Sequence, residues 1–426
     1  MSYADLDRTQ LEELRRALER EYADHCAKGL ALNMARGKPS AAQLELSLPL
    51  LDVVDAASEL MAQDGTDCRN YGVMDGIAEA KALMGQIMDH DPATVCVFGN
   101  SSLNIMFDLV TQGMMHGYLG NMPWKDLDAV KWLCPVPGYD RHFAITESYG
   151  IEMIPVTLGT DGPDMDEVER LVASDATIKG IWCVPQYSNP NGVVYSDETV
   201  RRLASMPCAA DDFRIFWDNA YCVHHLYEER AAHVADIAQA CDSAGNPDRY
   251  FKFASTSKVT FPGAGIAAVA ASAANIAEIK ARVGIQTVGY DKLNQLRHVR
   301  FLRDAEGVAE HMRKHAALLR PKFELVDRML EEGLAEAGCA TWSKPDGGYF
   351  VSFDGMPGTA KRTVALAKEA GVTMTGAGAT WPHKNDPNDS NIRIAPTLPP
   401  LEELEQAMEI FVCCAKLASV ETLLND

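Results

Sequence analysis

Short apolar runs alternate with helical patterns between about residues 50 and 300 of the chain. Each run is bounded by Gly, Pro, Asn or Asp, and such runs are typical of strands buried on both faces of a parallel sheet. The pattern therefore predicts an α/β architecture built on a mostly parallel sheet. The predicted strands cover residues 94–98, 129–134, 180–184, 214–217, 250–253 and 266–271.

The two ends of the chain have a different pattern. Leu11, Leu14 and Leu18, at three- and four-residue spacing, predict an amphipathic helix near the N-terminus. After residue 300 the pattern predicts a long charged helix at 303–337, a strand at 347–353, a helix at 359–370, a strand at 391–395 and a terminal helix from about residue 401. We predict a large domain over 50–300 and a smaller α+β domain built from 1–49 and 301–426.

The composition is acidic and globular. The 426 residues include 60 Asp and Glu against 39 Lys and Arg, so the formal net charge is −21. Proteins that bind polyanions draw most of their affinity from Lys and Arg, so we expect no nucleic acid and no membrane surface as partners. Hydrophobic residues at 47% and charged residues at 23% are typical of a folded protein with a sizeable core.

The chain start and the cysteines bear on the compartment. The first ten residues carry two aspartates and lack the basic stretch and apolar run of a secretory signal. The longest weakly polar stretch, 265–274, is well below the ~20 residues that span a bilayer. Eleven cysteines are scattered along the chain without a CxxC pair, a usage typical of reduced thiols. We predict a cytoplasmic protein.

Chemically informative residues follow three neighbouring strands of the predicted sheet. Asn189 lies in an NPNG turn, Asp218 begins a DNAY segment, and Lys258 ends an STSK segment. Parallel strands bring their carboxyl ends to one edge of the sheet, where ligands bind in open α/β folds. These side chains are therefore expected to converge on one crevice.

In this order and spacing the three segments resemble the fold type I enzymes that depend on pyridoxal phosphate (PLP), and aminotransferases in particular. The resemblance implies the PLP-transferase fold type I. It implies that Lys258 forms the Schiff base with the cofactor and then carries the proton between substrate and cofactor. It also implies that Asp218 keeps the pyridine nitrogen protonated, while Asn189 and Tyr221 hydrogen-bond the phenolic oxygen of the ring.

The resemblance extends from about residue 33 to 395 and implies further cofactor contacts. A GNSS segment opens a helical pattern, and helix N-termini hold phosphate well. The implied roles are phosphate binding by Asn100, Ser101 and Ser102, stacking of Tyr139 on the pyridine ring, and contact of Tyr71 with the phosphate of the neighbouring subunit. The last of these implies a homodimer.

The substrate positions also follow from the resemblance. Arg393, in the segment NIRIA, matches the arginine that takes the substrate α-carboxylate, and a guanidinium fork suits a planar carboxylate. Gly37, in RGKPS, matches a glycine that lies against the substrate, together with Asn189. Arg36, Lys38 and Arg141 are candidates for binding a distal carboxylate.

One position departs from most of the family. Gly265 stands where a Pro-Gly-x-Arg pattern places an arginine on the cofactor phosphate. The chain is most similar to the bacterial aspartate aminotransferase subgroup, which typically lacks this arginine. Ser255, Ser257, Tyr71 and the helix N-terminus are then expected to hold the phosphate.

The resemblance implies a ping-pong aminotransferase, with aspartate and 2-oxoglutarate as the expected substrates. An aminotransferase with an alanine or aromatic donor, and a fold type I lyase or decarboxylase, stay open as alternatives. A non-catalytic effector-binding module of a transcription regulator is a third alternative. About 32 residues precede the RGKPS segment, too few for a winged-helix head, and the net charge opposes DNA binding.

The histidines suggest no metal site. His311 and His315 are four residues apart on a charged helix, but no glutamate follows the first histidine as in the zinc protease motif. We expect both to lie on a solvated face. His224 and His225 follow the DNAY segment closely and are expected to serve local packing.

Overall fold

A computed structural model describes residues 2–425 of the chain. Within that range the chain forms twelve β-strands. In chain order they are β1 (Leu32–Met34), β2 (Val95–Val97), β3 (Lys131–Val136), β4 (Glu152–Thr157), β5 (Ile178–Cys183), β6 (Arg214–Asp218), β7 (Tyr250–Ser255), β8 (Ala267–Ala270), β9 (Ala340–Trp342), β10 (Val351–Gly355), β11 (Val372–Met374) and β12 (Asn391–Ile394).

The same residues form thirteen α-helices and six short 3₁₀ helices. The α-helices are α1 (Arg8–Ala27), α2 (Ala41–Glu45), α3 (Ala78–Met88), α4 (Ser102–His116), α5 (Asp140–Ser148), α6 (Met165–Ser174), α7 (Asp197–Ser205), α8 (Ile237–Ser243), α9 (Ala273–Gln286), α10 (Lys292–Leu302), α11 (Ala305–Leu334), α12 (Ala360–Glu369) and α13 (Leu401–Asn425). The 3₁₀ helices are Tyr3–Asp5, Leu48–Leu51, Pro92–Thr94, Trp124–Asp126, Glu228–Arg230 and Pro382–Lys384.

Seven strands form one large sheet in the order β2-β8-β7-β6-β5-β3-β4. From β7 to β4 all neighbouring strands run parallel, whereas β8 runs antiparallel to both of its neighbours. The predicted mostly parallel sheet is confirmed, and each of the six predicted apolar runs overlaps one of its strands. The sequence pattern missed β4, because this edge strand alternates between buried and more exposed residues and has no continuous apolar run.

Helices cover both faces of the large sheet. Successive strand residues point to opposite faces, so adjacent residues of one strand enter different hydrophobic clusters. Trp132 and Phe216 pack with α4, α5 and α9 on one face. Leu133 and Ile215 pack with α6, α7 and α8 on the other. The strand ends between these two helix layers are the edge at which the predicted site residues lie.

Residues from both ends of the chain share one further hydrophobic cluster. It includes Leu11 and Leu18 of α1, Val326 of α11 and Phe411 of α13, all buried. Strand β1 pairs with β11 in parallel, and β10 lies between β12 and β9 in an antiparallel sheet. The division of the chain at residues 50 and 300 stays a prediction.

The helices predicted near both ends are present as α1, α11, α12 and α13. The strand predicted at 347–353 begins later, at Val351, because Gly348 has a left-handed φ of 85° that a strand does not accommodate. No helix within residues 2–425 combines the length and apolarity needed to cross a membrane. All eleven cysteines lie in the same range, and each is a free thiol there.

Candidate active site

The three polar segments predicted to converge do follow neighbouring strands. Asp218 is the last residue of β6, Ser255 is the last residue of β7, and Asn189 lies in the turn after β5. Because β5, β6 and β7 are adjacent and parallel, their carboxyl ends open at the same edge of the sheet.

A cavity of about 490 Å³ lies at this edge. Ten residues singled out from the sequence line it, and they bring together the lysine turn, the NPNG turn, the RGKPS segment and strand β12. They are Arg36, Gly37, Lys38, Tyr139, Arg141, Asn189, Tyr221, Ser257, Lys258 and Arg393.

Lys258 lies in the turn after β7, with its Nζ 4.9 Å from the centroid of the Tyr221 ring. Removal of the amine from water lowers the pKa of Lys258, and the nearby Asp218 carboxylate opposes that shift. A lowered pKa makes the neutral amine, which is the nucleophilic form, more available near neutral pH.

Asp218 is buried, and its two carboxylate oxygens differ in their hydrogen bonding. Its Oδ2 accepts a hydrogen bond from His142 Nε2 at 3.0 Å, and the His142 ring stacks on Trp182 with centroids 4.7 Å apart. Its Oδ1 has no hydrogen-bond partner among residues 2–425. A buried carboxylate oxygen without a hydrogen bond destabilises the fold, so this atom is suited to accept a hydrogen bond from a bound ligand.

Arg393 reaches the cavity from β12 with its side chain only 7% exposed. Its Nη1 donates to Asp140 Oδ1 at 2.8 Å and to Asn189 Oδ1 at 3.2 Å. The guanidinium carbon also lies 5.0 Å from the centroid of the Phe350 ring. A Cβ atom at Gly37 would collide with the same ring, so a glycine is needed there.

The residues predicted to hold phosphate lie around the start of α4. Ser257 Oγ donates to Asn100 O at 2.8 Å, and Ser255 Oγ donates to Ser257 Oγ at 3.1 Å. Helix α4 begins at Ser102, and the Ser101 side chain at its N-cap makes no capping hydrogen bond. The first amides of a 15-residue helix are therefore left without a side-chain cap, an arrangement that favours an anion.

Tyr71 lies outside the cavity lining and is 82% exposed in the single chain. Its predicted contact with a neighbouring subunit stays a prediction.

Comparison with known proteins gives the family. The model of the aspartate aminotransferase family matches residues 6–426. A protein of Mycolicibacterium smegmatis whose name assigns it to the aminotransferases is 50% identical, with 100% of both chains covered. The structure of an aspartate transaminase from Corynebacterium glutamicum is 45% identical, with 99% of both chains covered and a TM-score of 0.96. The chain belongs to the aspartate aminotransferase family.

A more distant structure supports the fold assignment. The α-aminoadipate aminotransferase LysN from Thermus thermophilus, solved in complex with N-(5'-phosphopyridoxyl)-L-leucine, has a TM-score of 0.73 at 18% identity and covers 95% of both chains. The predicted PLP-transferase fold type I is thus confirmed. The relatives at 50% and 45% identity show that the chain is an aminotransferase. Aminotransferases of this fold are generally PLP-dependent.

The position at which most of the family has an arginine is tightly packed in this chain. A Cβ atom at Gly265 would lie 2.9 Å from Thr256 Oγ1 and 3.3 Å from Phe261 O. The Gly265 carbonyl accepts a hydrogen bond from Asn294 Nδ2 at 2.9 Å. An arginine here would therefore require the loop between β7 and β8 to move.

Several residues of the site were not predicted from the sequence. Asp140 contacts Arg393, and His142 contacts Asp218. Both residues closely follow Tyr139, and this closeness in sequence could have indicated them. Phe350 lines the cavity from the segment before β10, where no motif marks it.

The expectation for His311 and His315 is wrong. They are 5% and 1% exposed, because the otherwise charged helix α11 packs this face against the lysine turn and α2. His224 is buried at 3% exposure, in agreement with the predicted packing role.

Proposed function

We propose that this aminotransferase uses PLP to move the amino group of aspartate to 2-oxoglutarate by ping-pong chemistry. The observation that carries the proposal is the unpartnered Oδ1 atom of Asp218, which is buried at the carboxyl edge of the large sheet. Lys258 lines the cavity at this edge, and Arg393 enters the same cavity from β12. Lys258 supplies an amine, Asp218 supplies a carboxylate for a ring nitrogen, and Arg393 supplies a guanidinium for a substrate carboxylate.

The donor set fits PLP. Asp218 Oδ1 would accept a hydrogen bond from the pyridine N–H, which satisfies the one oxygen that His142 leaves free. Tyr139, whose ring is 4.9 Å from that of His142, would stack on the cofactor ring. Ser255, Ser257, Asn100 and the start of α4 would hold the phosphate without an arginine.

When bound, PLP supplies an aldehyde that takes up amino groups and a ring that accepts electrons from the substrate α-carbon. The chain supplies the proton transfer. Lys258 Nζ, with its lowered pKa, would take the proton from the substrate α-carbon and return it to the cofactor side. Asp218 Oδ1 would accept a hydrogen bond from the protonated ring nitrogen, which maintains the electron demand of the ring.

Asn189 and Tyr221 are proposed to donate hydrogen bonds to the phenolic oxygen of the cofactor. Arginine only donates, so the Asn189 oxygen must face Arg393, and the Asn189 amide nitrogen is left to donate elsewhere. Burial raises the pKa of Tyr221 well above its ordinary value, so its hydroxyl remains a donor.

The substrate side of the cavity favours anions. Arg393 is proposed to bind the α-carboxylate, with Gly37 and Asn189 beside it. Arg36, Lys38 and Arg141 also line the cavity, and none of the three forms an ion pair with another side chain of residues 2–425. Three unpaired cations close to Arg393 support a dicarboxylic substrate, although the chain as a whole carries a net charge of −21.

We further propose a homodimer. Tyr71 and Ile285 are each 82% exposed and Val288 is 57% exposed, which is unusual for large apolar side chains in water. Gly72 N donates to Val288 O at 3.0 Å, so the exposed surface at Tyr71 lies beside the end of α9 that carries Ile285. A partner covering this surface would bring Tyr71 into a protein interior, as its proposed phosphate role requires. A cytoplasmic location is proposed on the free thiols.

The proposal is tested by mixing purified protein with PLP, aspartate and 2-oxoglutarate and identifying the products. Oxaloacetate and glutamate in equal amounts are expected. Release of carbon dioxide or ammonia in place of glutamate would indicate a decarboxylase or lyase. Faster turnover with alanine or an aromatic amino acid than with aspartate would contradict the substrate assignment and leave aminotransfer intact.

A further inference from the structure

A group of buried polar side chains lies behind the turn that carries Lys258. It consists of Gln43, His224, His311, His315 and Tyr349, which we call the histidine network. Each of the five is at most 5% exposed. They come from α2, from the loop after β6, from α11 and from the segment before β10, so distant parts of the sequence meet at this turn.

The network contacts two backbone carbonyls of the lysine turn. His311 Nε2 donates to Val259 O at 2.8 Å. The carbonyl oxygen of Lys258 lies 3.4 Å from His224 Nε2 and 3.5 Å from the Tyr349 hydroxyl. Neither carbonyl accepts a backbone hydrogen bond from within residues 2–425, so side chains supply its contacts. The 2.8 Å bond from His311 is the strongest of these contacts.

A second layer supports the groups that contact the turn. Gln43 Nε2 donates to the Tyr349 hydroxyl at 3.0 Å. Because His311 Nε2 donates to Val259 O, the neighbouring His315 Nε2, 3.1 Å away, faces it as an acceptor. Gln43 Oε1 accepts a hydrogen bond from Ser40 N at 3.0 Å, which fixes the orientation of the amide. The network thus connects the start of α2 and the middle of α11 to the lysine turn.

Burial keeps the network neutral. It lowers the pKa of His224 and of His311 below the ordinary range, and it lowers the pKa of His315 to about 3. Neutral imidazoles keep one N–H donor each and add no positive charge beside the Lys258 amine.

We propose that the histidine network positions the Lys258 side chain, with His311 as the main positioning residue. By holding the carbonyls of Lys258 and Val259, it fixes where Lys258 Nζ stands relative to Tyr221 and Asn189. None of the five residues lines the cavity, so the network acts through the backbone and not on the substrate. The inference rests on the proposed role of Lys258 in binding PLP.

The test compares His311→Leu, which removes the donor, with His311→Gln, which supplies an amide donor. Met312→Leu is the matched control, because Met312 is the next residue on α11, is 6% exposed, packs in a hydrophobic cluster with Val259 and makes none of the hydrogen bonds of the network. Four quantities are measured on each PLP-loaded variant: the pH midpoint of the visible band of the lysine-bound cofactor, the dissociation constant of PLP, and kcat and KM for aspartate.

We expect His311→Leu to shift the pH midpoint of the visible band, to weaken PLP binding and to lower kcat about tenfold with KM little changed. In His311→Gln each quantity should return most of the way to its wild-type value, and Met312→Leu should match the wild type. Equal losses in the Leu and Gln variants would overturn the proposal, because they would indicate a packing role. A wild-type spectrum and kcat in His311→Leu would overturn it as well.

Tyr349→Phe provides a milder variant if His311→Leu does not fold. It removes one hydroxyl next to the Lys258 carbonyl and should shift the pH midpoint of the visible band in the same direction, and an unchanged midpoint would count against the network. The failure of the proposed function is a different result, since wild-type protein would then show no visible band with PLP.

Discussion

Arg393 and Asp140 form an ion pair inside the candidate active site, with 2.8 Å between Nη1 and Oδ1. The arginine side chain is 7% exposed and that of Asp140 is 29% exposed. A carboxylate of the chain itself therefore occupies one nitrogen of the guanidinium proposed to bind the substrate carboxylate. Arg393 Nε is buried and has no partner within residues 2–425.

Asp140→Asn should strengthen the binding of dicarboxylates. The substitution removes a negative charge beside Arg393 but keeps a side chain of the same size. We expect the dissociation constant of succinate to fall severalfold. The corresponding gain in binding free energy is about 1 kcal/mol, as for a partly exposed charge pair. Titration of the visible band with succinate measures it, and Glu147→Gln on the same helix serves as the control. Weaker succinate binding in Asp140→Asn would show that Asp140 orients Arg393 and does not compete for it.

The preference for aspartate should depend on at least one of the three unpaired cations. We expect Arg36→Gln, Lys38→Gln or Arg141→Gln to lower kcat/KM for aspartate at least about tenfold while kcat/KM for alanine changes little, since alanine lacks the distal carboxylate. The ratio of the two constants is measured for each variant. An unchanged ratio in all three variants would remove these residues from the substrate site.

Asp218→Asn should reduce turnover far more than loss of its partner His142. The asparagine is similar in shape but does not hold a proton on the ring nitrogen, so we expect kcat to fall at least about a hundredfold. His142→Phe keeps an aromatic ring against Trp182 and leaves the charge of Asp218, so a loss of about tenfold is expected. Single-turnover measurements with aspartate give both values. Comparable losses in the two variants would contradict the assignment of the ring-nitrogen role to Asp218.

Acid should destabilise the folded chain through its buried histidines. The pKa of His315 is about 3 in the fold, against 6.5 for an ordinary histidine, so below pH 6.5 the unfolded chain binds more protons and stability falls with pH. For this one residue the loss between pH 6.5 and pH 5 is about 2 kcal/mol.

Urea midpoints at several pH values measure this effect. His315→Gln should lose less stability than the wild type between pH 6.5 and pH 5, while His116→Gln, at an exposed position, should follow the wild type. Parallel curves for His315→Gln and the wild type would contradict the burial argument.

The sequence located the candidate site because its residues follow strand ends. Asp218 and Ser255 close β6 and β7, and the parallel order of these strands determines that they meet. The burial of His311 was not predictable in this way. Its helix is charged, and the face it occupies is buried because the lysine turn, about fifty residues earlier, and α2 pack against it.

The contacts of Arg393 illustrate the same limit within the site. Its position on a strand was predicted as part of the segment 391–395, and β12 covers Asn391–Ile394. Its pairing with Asp140 depends on how β12 approaches the start of α5, which no local pattern determines. The residues that carry the chemistry could be predicted from local motifs, whereas contacts between distant segments could be identified only from the folded structure.

The most direct test of the account is to identify the lysine that holds the cofactor. Protein loaded with PLP is reduced with borohydride, digested, and analysed by mass spectrometry for the pyridoxyl-phosphate adduct. One modified peptide is expected, with the adduct on Lys258, and no adduct is expected in Lys258→Ala. An adduct on another lysine, or none in the wild-type protein, would contradict it.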